Sequence, residues 1–319
     1  AEGSVHYCWD LGRKSLLTLR HLWALRRWIR AQAPDVLHVR SRMPAWLVWL
    51  AWRGLPAATR PKLVMTVHGL YSVSRYSAIM TRGERVIAVS KTVRSYIEHN
   101  YPDTEMQNVT VINRGIDPAD FPRGYAPSNQ WLQHWCVEYP QLAGKRVLTI
   151  AGRLTRLKGH HDFIALVQQL RQQGVPVHGL IVGGEDPKRR AYAEELRNQV
   201  KLLGLDNDIT FTGNRADIRD VYAASDLVLS LSTKPESFGR AVLEALSLGV
   251  PVVGYDHGGV GEILAKLYPQ GRVPLRDSAA LVSIATQLLE DSGAIQENTL
   301  FLRSEMLSQK LALYQDVCT

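Results

Sequence analysis

The chain has 319 residues, of which 45% are hydrophobic and 21% are charged, and its formal net charge is +8. This length exceeds one typical hydrophobic core and predicts two globular domains. Three cysteines, Cys8, Cys136 and Cys318, are too few and too widely spaced for a disulfide framework or a metal cluster, and a reducing cytoplasm is the expected compartment. The longest strongly apolar run, residues 43–52, is too short to span a bilayer.

Short apolar strands alternate with helices along the first half of the chain. A basic amphipathic helix is expected at residues 16–30 and another helix at 91–99. The expected strands are 35–39, 62–68, 85–90 and 109–113. Near-continuous apolar strands at this spacing predict a parallel sheet covered on both faces.

The same rhythm continues in the second half. Strands are expected at residues 146–151, 177–182, 209–213, 227–232 and 250–255, again separated by helices. The irregular stretch 122–144 is the expected boundary, so the predicted domains are 1–140 and 141–299. Residues 298–316 are expected to form a last helix. The fold class is therefore α/β, with two Rossmann-like domains.

Charge is distributed unevenly between these halves. Residues 1–140 hold 18 Lys+Arg and 10 Asp+Glu together with all eight tryptophans, whereas residues 141–319 hold 20 and 20. The first half is therefore expected to meet a phosphate-rich surface, a membrane or a nucleic acid. Within it, the stretch 15–30 combines four arginines with Trp23 and Trp28. Two interpretations stay open: its apolar face packs on the sheet, or its arginines dock on an anionic membrane.

The most informative motif is the segment from Glu236 to Glu244. It places two carboxylates eight positions apart across a predicted junction between a loop and a helix. The N-terminus of that helix offers unpaired N–H groups and the positive end of the dipole, which suits an anionic ligand. Because carboxylates accept hydrogen bonds from sugar hydroxyls, the segment predicts a site for a sugar nucleotide.

Two cations accompany this motif. Arg153 and Lys158 lie in a segment bounded by Gly152 and Gly159, directly after the predicted strand 146–151. Ligands of open α/β sheets bind at the carboxyl ends of strands. The cations are therefore placed to contact an anionic ligand, and ordinary surface charge is the alternative.

This combination of motifs resembles the retaining glycosyltransferases of family 4, which have the GT-B architecture of two facing Rossmann-like domains. The Glu, seven residues, Glu motif of that family is matched by Glu236 and Glu244, and its Gly-Arg-Leu…Lys-Gly segment by Arg153 and Lys158. The similarity covers nearly the whole chain and is strongest from residue 145 to 262. In the family the C-terminal helix, here 300–319, returns to the first domain.

The resemblance also implies roles for individual residues. Glu244 binds the ribose hydroxyls and Glu236 the donor-sugar hydroxyls, while Phe238 and Gly239 offer backbone amides to the sugar and the diphosphate. Two further matches are Arg215, which lies near the base, and His68, which faces the donor sugar across the cleft. Gly183 ends the predicted strand 177–182, where the backbone either approaches the nucleoside or forms a plain turn. His68 and Glu236 are the expected catalytic residues, and a structural role for His68 is the alternative.

The implied reaction moves a sugar from a nucleotide-diphosphate donor to a lipid-linked or cell-envelope glycan, of lipopolysaccharide type for example, at the cytoplasmic membrane face. Neither a metal nor a cofactor beyond this co-substrate is expected, and no nucleic acid. The alternative is a non-catalytic protein that binds a nucleotide sugar or docks on a membrane or nucleic acid. The family's opening strand and glycine-rich loop have no match in residues 1–8, so an N-terminally incomplete first domain is expected.

Overall fold

The computed structural model describes residues 20–185 and 190–319. The chain divides into two compact units. The first ends at Asn113 and takes up the chain again from Met306 to Thr319, and the second comprises Arg114–Glu305. The expected N-terminal incompleteness and the start of the predicted helix 16–30 lie outside the described residues.

The first unit contains a parallel sheet in the order β1-β2-β3-β4. Its elements are α1 (Arg20–Gln32), β1 (Val36–Val39), α2 (Arg42–Arg53), β2 (Lys62–Val67), β3 (Arg85–Ala88), α3 (Lys91–Asn100), β4 (Val109–Val111) and the greater part of α11 (Arg303–Cys318). All four predicted strands are confirmed, each within two or three residues of its expected bounds.

Both faces of this sheet are buried, as the apolar strands predicted. Alternate side chains of β2 point in opposite directions. Leu63 and Met65 pack in a cluster with Ala45 of α2 and Val93 of α3. Val64 instead joins a cluster with Leu313 and other residues of α11. The C-terminal helix is therefore part of the core of the first unit.

Helix α1 packs on helix α2 and on β1 of the sheet. Its Leu25 and Ile29 form one apolar cluster with Leu47 and Ala51 of α2. Trp23 lies outside this contact with 74% of its surface exposed. The apolar face of α1 is thus covered, while its exposed side keeps one tryptophan.

The second unit contains a six-stranded parallel sheet in the order β10-β9-β8-β5-β6-β7. Its elements are α4 (Asn129–Glu138), β5 (Arg146–Ala151), α5 (His160–Gln172), β6 (Val177–Val182), α6 (Arg190–Leu202), β7 (Ile209–Gly213), α7 (Ile218–Ala223), β8 (Leu227–Ser230), α8 (Arg240–Leu248), β9 (Val252–Tyr255), α9 (Gly258–Leu267), β10 (Arg272–Val273) and α10 (Ser278–Glu290). The five predicted strands are confirmed, and the two-residue β10 was not predicted.

Strand order reverses beside β5, which has β6 on one side and β8 on the other. In open parallel sheets the connections leave in opposite directions at such a point and open a crevice at the carboxyl ends of the strands. The segments that follow β5 and β8 therefore border this crevice. They are residues 152–159 and 231–239, which carry the predicted cations and the first glutamate.

The division between the units falls between Asn113 and Arg114, earlier than the predicted stretch 122–144. The reason is α4, which looked like part of a linker. Trp135 and Tyr139 pack with Val147 of β5 and Leu180 of β6, so this segment belongs to the second sheet. The tryptophans are therefore shared between the units, but residues 1–113 still carry 16 Lys+Arg against 7 Asp+Glu.

The last helix, α11, runs somewhat later than the predicted 298–316. Among the described residues, each helix is too short or too polar to cross a membrane.

Candidate functional site

The segment after β5 is joined closely to the segment after β8. Thr233 N donates to Leu157 O at 2.8 Å. Gly159 has φ +74°, and a Cβ there would lie 1.9 Å from the carbonyl oxygen of Leu231. Only glycine permits both this conformation and this approach. The glycine therefore fixes Lys158, its neighbour, against the loop that carries Glu236.

Lys158 and Glu236 form an ion pair at this point. Lys158 Nζ donates to Glu236 Oε1 at 2.6 Å, and the hydroxyl of Ser232 donates to the same oxygen. The lysine and glutamate are 78 residues apart in sequence, and the fold brings them into direct contact. The structure thus brings together two of the residues that the motifs predicted, and adds a serine that they did not.

These contacts set the protonation state of Glu236. Burial alone would raise its pKa, but the positive charge of Lys158 and the hydrogen bonds from Lys158 and Ser232 outweigh burial, and His257 acts in the same direction. The pKa therefore lies below the usual value of a glutamate. Glu236 is consequently ionised at neutral pH and can only accept hydrogen bonds.

The backbone of the loop is fixed by the start of α9. Gly259 N donates to Glu236 O at 2.8 Å. A Cβ on Gly259 would lie 2.4 Å from Phe238 Cα, so the two main chains touch. The Phe238 ring is buried and packs edge to face with Phe301 at 5.9 Å between ring centroids. Since that side chain belongs to the core, only the backbone of Phe238 is left for a ligand.

Gly239 and Glu244 belong to α8 and its start. Gly239 has φ +91° and precedes the first residue of the helix, Arg240. Glu244 is buried, with 7% of its surface exposed, and Arg240 Nε donates to its Oε1 at 2.5 Å. Burial raises the pKa of Glu244, and the bond from Arg240 opposes this shift without cancelling it. The pKa values of the two glutamates of the motif are thus shifted in opposite directions.

Arg153, the second predicted cation, is exposed and makes no hydrogen bond or ion pair with another described residue. Arg156 in the same segment is engaged instead. Its guanidinium pairs with Glu195 and stacks over the ring of Tyr192 at 5.1 Å. Among the described residues of this segment, Arg153 is therefore the cation without an ion-pair partner.

Gly183 lies at the end of β6. A Cβ there would come within 1.9 Å of the carbonyl oxygen of Gly152, which follows β5. The ends of these neighbouring strands are also linked by Gly152 N, which donates to Val182 O at 2.8 Å. Close strand packing is thus sufficient to require this glycine, and its contact with a nucleoside stays a prediction.

The side chain of Arg215 is occupied by its own protein. It donates to Asp217 at 2.6 and 2.9 Å and to both oxygens of Glu138 at 3.0 and 3.1 Å. It also lies over the Trp135 ring at 5.3 Å. These contacts tie α4 to the segment before α7. A role near the base would therefore fall to the main chain at this position.

His68 lies in the first unit, directly after β2. Arg40 Nε donates to His68 Nε2 at 3.1 Å. A guanidinium can only donate, so His68 Nε2 is the acceptor of this bond. The structure therefore presents His68 as a hydrogen-bond acceptor beside a permanent positive charge.

Ser232 and His257 were missed by the sequence motifs. Ser232 lies four residues before Glu236, and His257 follows the predicted strand 250–255. Both positions are at carboxyl ends of strands, which was a usable signal for His257. No spacing rule connects a serine to a glutamate within an irregular loop, so Ser232 could not be selected.

Comparison with known proteins identifies the family. A model described as glycosyl transferases group 1 matches residues 138–300, and one described as glycosyltransferase family 4 matches residues 3–120. The chain belongs to the group 1 glycosyl transferases. With both matches, and with the two parallel-sheet units of a GT-B fold, it is a family 4 glycosyltransferase, as the motifs predicted.

Two curated relatives match shorter stretches at higher identity. The 2-deoxystreptamine N-acetyl-D-glucosaminyltransferase of Streptomyces fradiae is 33% identical over 47% of this chain and 35% of its own length. The D-inositol 3-phosphate glycosyltransferase of Rhodococcus erythropolis is 35% identical over 37% of this chain and 27% of its own. These alignments thus span about a third or less of the relatives' lengths.

Solved structures share the fold over nearly the whole chain. A glycosyltransferase from Rickettsia africae superposes with a TM-score of 0.84 at 24% identity, over 98% of this chain and 85% of that one. The Anabaena protein HepE, solved in complex with UDP and glucose, has a TM-score of 0.72 at 24% identity, over 97% and 82%.

Proposed function

We propose that this glycosyltransferase moves a sugar from a nucleotide-diphosphate donor to an acceptor hydroxyl with retention of the anomeric configuration. The observation that carries the proposal is the contact between Lys158 and Glu236 at the crevice beside β5. It places a cation suited to a diphosphate next to an ionised carboxylate suited to sugar hydroxyls. The proximity of these two groups matches the junction between diphosphate and sugar in such a donor.

In this proposal the reaction breaks the bond between the sugar carbon and the diphosphate oxygen. The leaving diphosphate gains negative charge, which Lys158 and Arg153 offset. The acceptor oxygen forms the new bond to that carbon, and its proton passes to an oxygen of the leaving diphosphate. Glu236 holds the donor sugar, Glu244 the ribose, and His68 remains the proposed catalytic residue of the first unit.

The donor is proposed from both geometry and relatives. Backbone amides at Phe238 and Gly239 lie at the start of α8, where the helix dipole favours an anion. Gly183 and the main chain at Arg215 are the proposed neighbours of the nucleoside. HepE was solved with UDP and with UDP-glucose, which makes UDP the first nucleotide to test.

We propose further that the acceptor is a lipid-linked or cell-envelope glycan reached from the cytoplasm at the membrane surface. The support is the basic excess of residues 1–113 and the exposed side of α1, which presents Trp23 with Arg20, Arg27 and Arg30. Arginines near an anionic lipid surface each contribute about 1 kcal/mol of binding.

Isothermal calorimetry with UDP tests the donor site. Changing Lys158→Ala or Arg153→Ala should weaken UDP binding about tenfold or more, because each removes a charge-assisted contact. Arg156→Ala is the matched control, since Arg156 is engaged by Glu195 and should leave UDP affinity unchanged. Unchanged binding in both test variants would refute the donor site. Binding without turnover of any nucleotide sugar would favour the non-catalytic alternative.

A further inference from the structure

Ser232, the second residue after β8, connects two parts of the site. The side chain is buried, with 4% of the residue exposed, and its hydroxyl donates to Glu236 Oε1. Its carbonyl oxygen lies 2.6 Å from His257 Nε2. A carbonyl oxygen only accepts, so His257 Nε2 carries the proton and donates it. Ser232 is therefore hydrogen-bonded to His257 through its main-chain carbonyl and to Glu236 through its hydroxyl.

The two oxygens of Glu236 differ as a result. Oε1 accepts from both Ser232 and Lys158, which occupies its two lone pairs. Oε2 accepts no hydrogen bond from any side chain or amide within the described ranges 20–185 and 190–319. The carboxylate is thus held through Oε1, and Oε2 can still accept hydrogen bonds from a ligand.

The backbone of Glu236 is held from the same side as Ser232. Gly259 N donates to Glu236 O, and a Cβ on Gly258 would lie 2.8 Å from both the nitrogen and the oxygen of Glu236. The segment 257–259 therefore fixes the main chain of Glu236 by direct packing and its side chain through Ser232. Both the position and the rotation of the carboxylate are then determined before a ligand arrives.

We propose that Ser232 and His257 are positioning residues that orient Glu236 so that its Oε2 receives a hydroxyl of the donor sugar. This inference rests on the proposed function of Glu236 and adds two residues that the motif does not contain. Neither residue touches the sugar. Ser232 fixes the carboxylate directly, and His257 fixes the carbonyl group of Ser232.

The first experiment needs no ligand. Glu236 is titrated by NMR with carboxyl-labelled glutamate, in the full chain and in three variants. Ser232→Ala removes a hydrogen bond to the ionised form, so the pKa of Glu236 should rise although Lys158 and His257 still face it. Ser232→Thr keeps the hydroxyl and should restore the wild-type titration. Ser237→Ala, a serine in the same loop, is the matched control and should leave the titration unchanged.

The second experiment compares binding of UDP and UDP-glucose by calorimetry. Ser232→Ala should leave the affinity for UDP unchanged and reduce the additional affinity for UDP-glucose by about tenfold, since only the sugar contact is misoriented. His257→Ala should act in the same direction, and His257→Gln, which keeps a donor, should act less. The variants at Arg153 and Lys158 test the diphosphate site by their affinity for UDP alone. Failure of the proposed donor site can therefore be distinguished from failure of the positioning role of Ser232 and His257.

Two results would overturn the proposal. One is a Glu236 pKa that does not change in Ser232→Ala. The other is a ratio of UDP-glucose to UDP affinity that stays at the wild-type value in both Ser232→Ala and His257→Ala. Thermal unfolding of each variant identifies general loss of the fold, and in that case the Ser232→Thr and His257→Gln variants decide by the same two readouts.

Discussion

The Nδ1 atom of His38, on β1, lies 2.5 Å from the hydroxyl of Tyr314, on α11. On the other side of the ring, Nε2 lies 2.6 Å from Thr66 Oγ1. A neutral imidazole donates from one nitrogen and accepts at the other, whereas the charged form can only donate. Burial, with the positive charges of Arg40 and Lys310, lowers the pKa of His38 to about 4.

The lowered pKa of His38 predicts that the folded protein loses stability in acid. In the unfolded chain His38 binds a proton below its ordinary pKa of 6.5, and in the folded chain only near 4. The unfolded state therefore takes up more protons in this window, and stability should fall as the pH drops from 6.5 to 4. Urea unfolding at pH 7 and pH 5 measures the loss. His38→Gln should shrink the difference between the two pH values, and His99→Gln, at an exposed histidine, should not. An equal difference in stability between pH 7 and pH 5 in the two variants would contradict the assignment to His38.

Glu244 is expected to lower the stability of the fold and to strengthen the binding of UDP. Burial raises its pKa, so its ionised form costs folding free energy at neutral pH. Glu244→Gln keeps the shape without the charge and should leave the midpoint of thermal unfolding equal or higher. The same change should weaken UDP binding about tenfold, because a charged acceptor for the ribose is lost. Glu290→Gln, at an exposed glutamate, serves as control. A lower midpoint with normal UDP affinity would make Glu244 purely structural.

Gly159 and Gly174 form a natural pair for comparison. Both have positive φ, +74° and +81°, but a Cβ meets the Leu231 carbonyl only at Gly159 and open space at Gly174. Gly174→Ala should cost roughly 1–2 kcal/mol for the left-handed conformation alone. Gly159→Ala should cost roughly 3 kcal/mol or more, since main chain must move. Urea unfolding measures both, and equal costs would show that the close approach is relieved without strain.

Turnover should not depend on a divalent metal. Arg153, Lys158 and the start of α8 offer positive charge to the diphosphate. Activity on a nucleotide sugar should therefore persist in excess chelator. Activity that disappears with chelator and returns with magnesium or manganese would contradict the proposed class of mechanism.

The first unit is expected to bind anionic vesicles in a salt-dependent manner. Exposed charges are screened within about 10 Å at 0.1 M salt, so co-sedimentation should fall steeply as salt is raised. The double change Arg27→Glu and Arg30→Glu should reduce binding to anionic vesicles, and Trp23→Ala should reduce it less. Equal recovery with neutral and anionic lipids would remove the membrane from the proposed function.

The sequence predicted those features that repeat a simple period. Nine strands followed from apolar runs, because burial on both faces leaves little freedom in composition. The two-residue β10 has no such run. The division between the units falls before the predicted stretch 122–144, and α4 within that stretch packs on the second sheet through Trp131, Trp135 and the following Tyr139.

The site divides in the same way. Lys158 and Glu236 could be selected because glycines and a fixed spacing mark their segments. Ser232 contacts Glu236 within one irregular loop, and His257 contacts Ser232 from a segment 25 residues away, and neither contact follows from a local pattern. The hydrogen bonds from the Arg215 side chain to Glu138 and Asp217 could not be predicted either, since Glu138 lies 77 residues away.

The chain leaves the first unit at Asn113 and returns at Met306, and this order of segments bears on synthesis. The two ends of the second unit meet at a parallel bridge, where Ile116 N donates to Phe301 O and Arg303 N donates to Ile116 O. All residues of the second unit have thus been made before the helix that supplies Leu313 and Val317 to the first core. During synthesis, the second unit can therefore complete its core before the first unit receives its C-terminal helix.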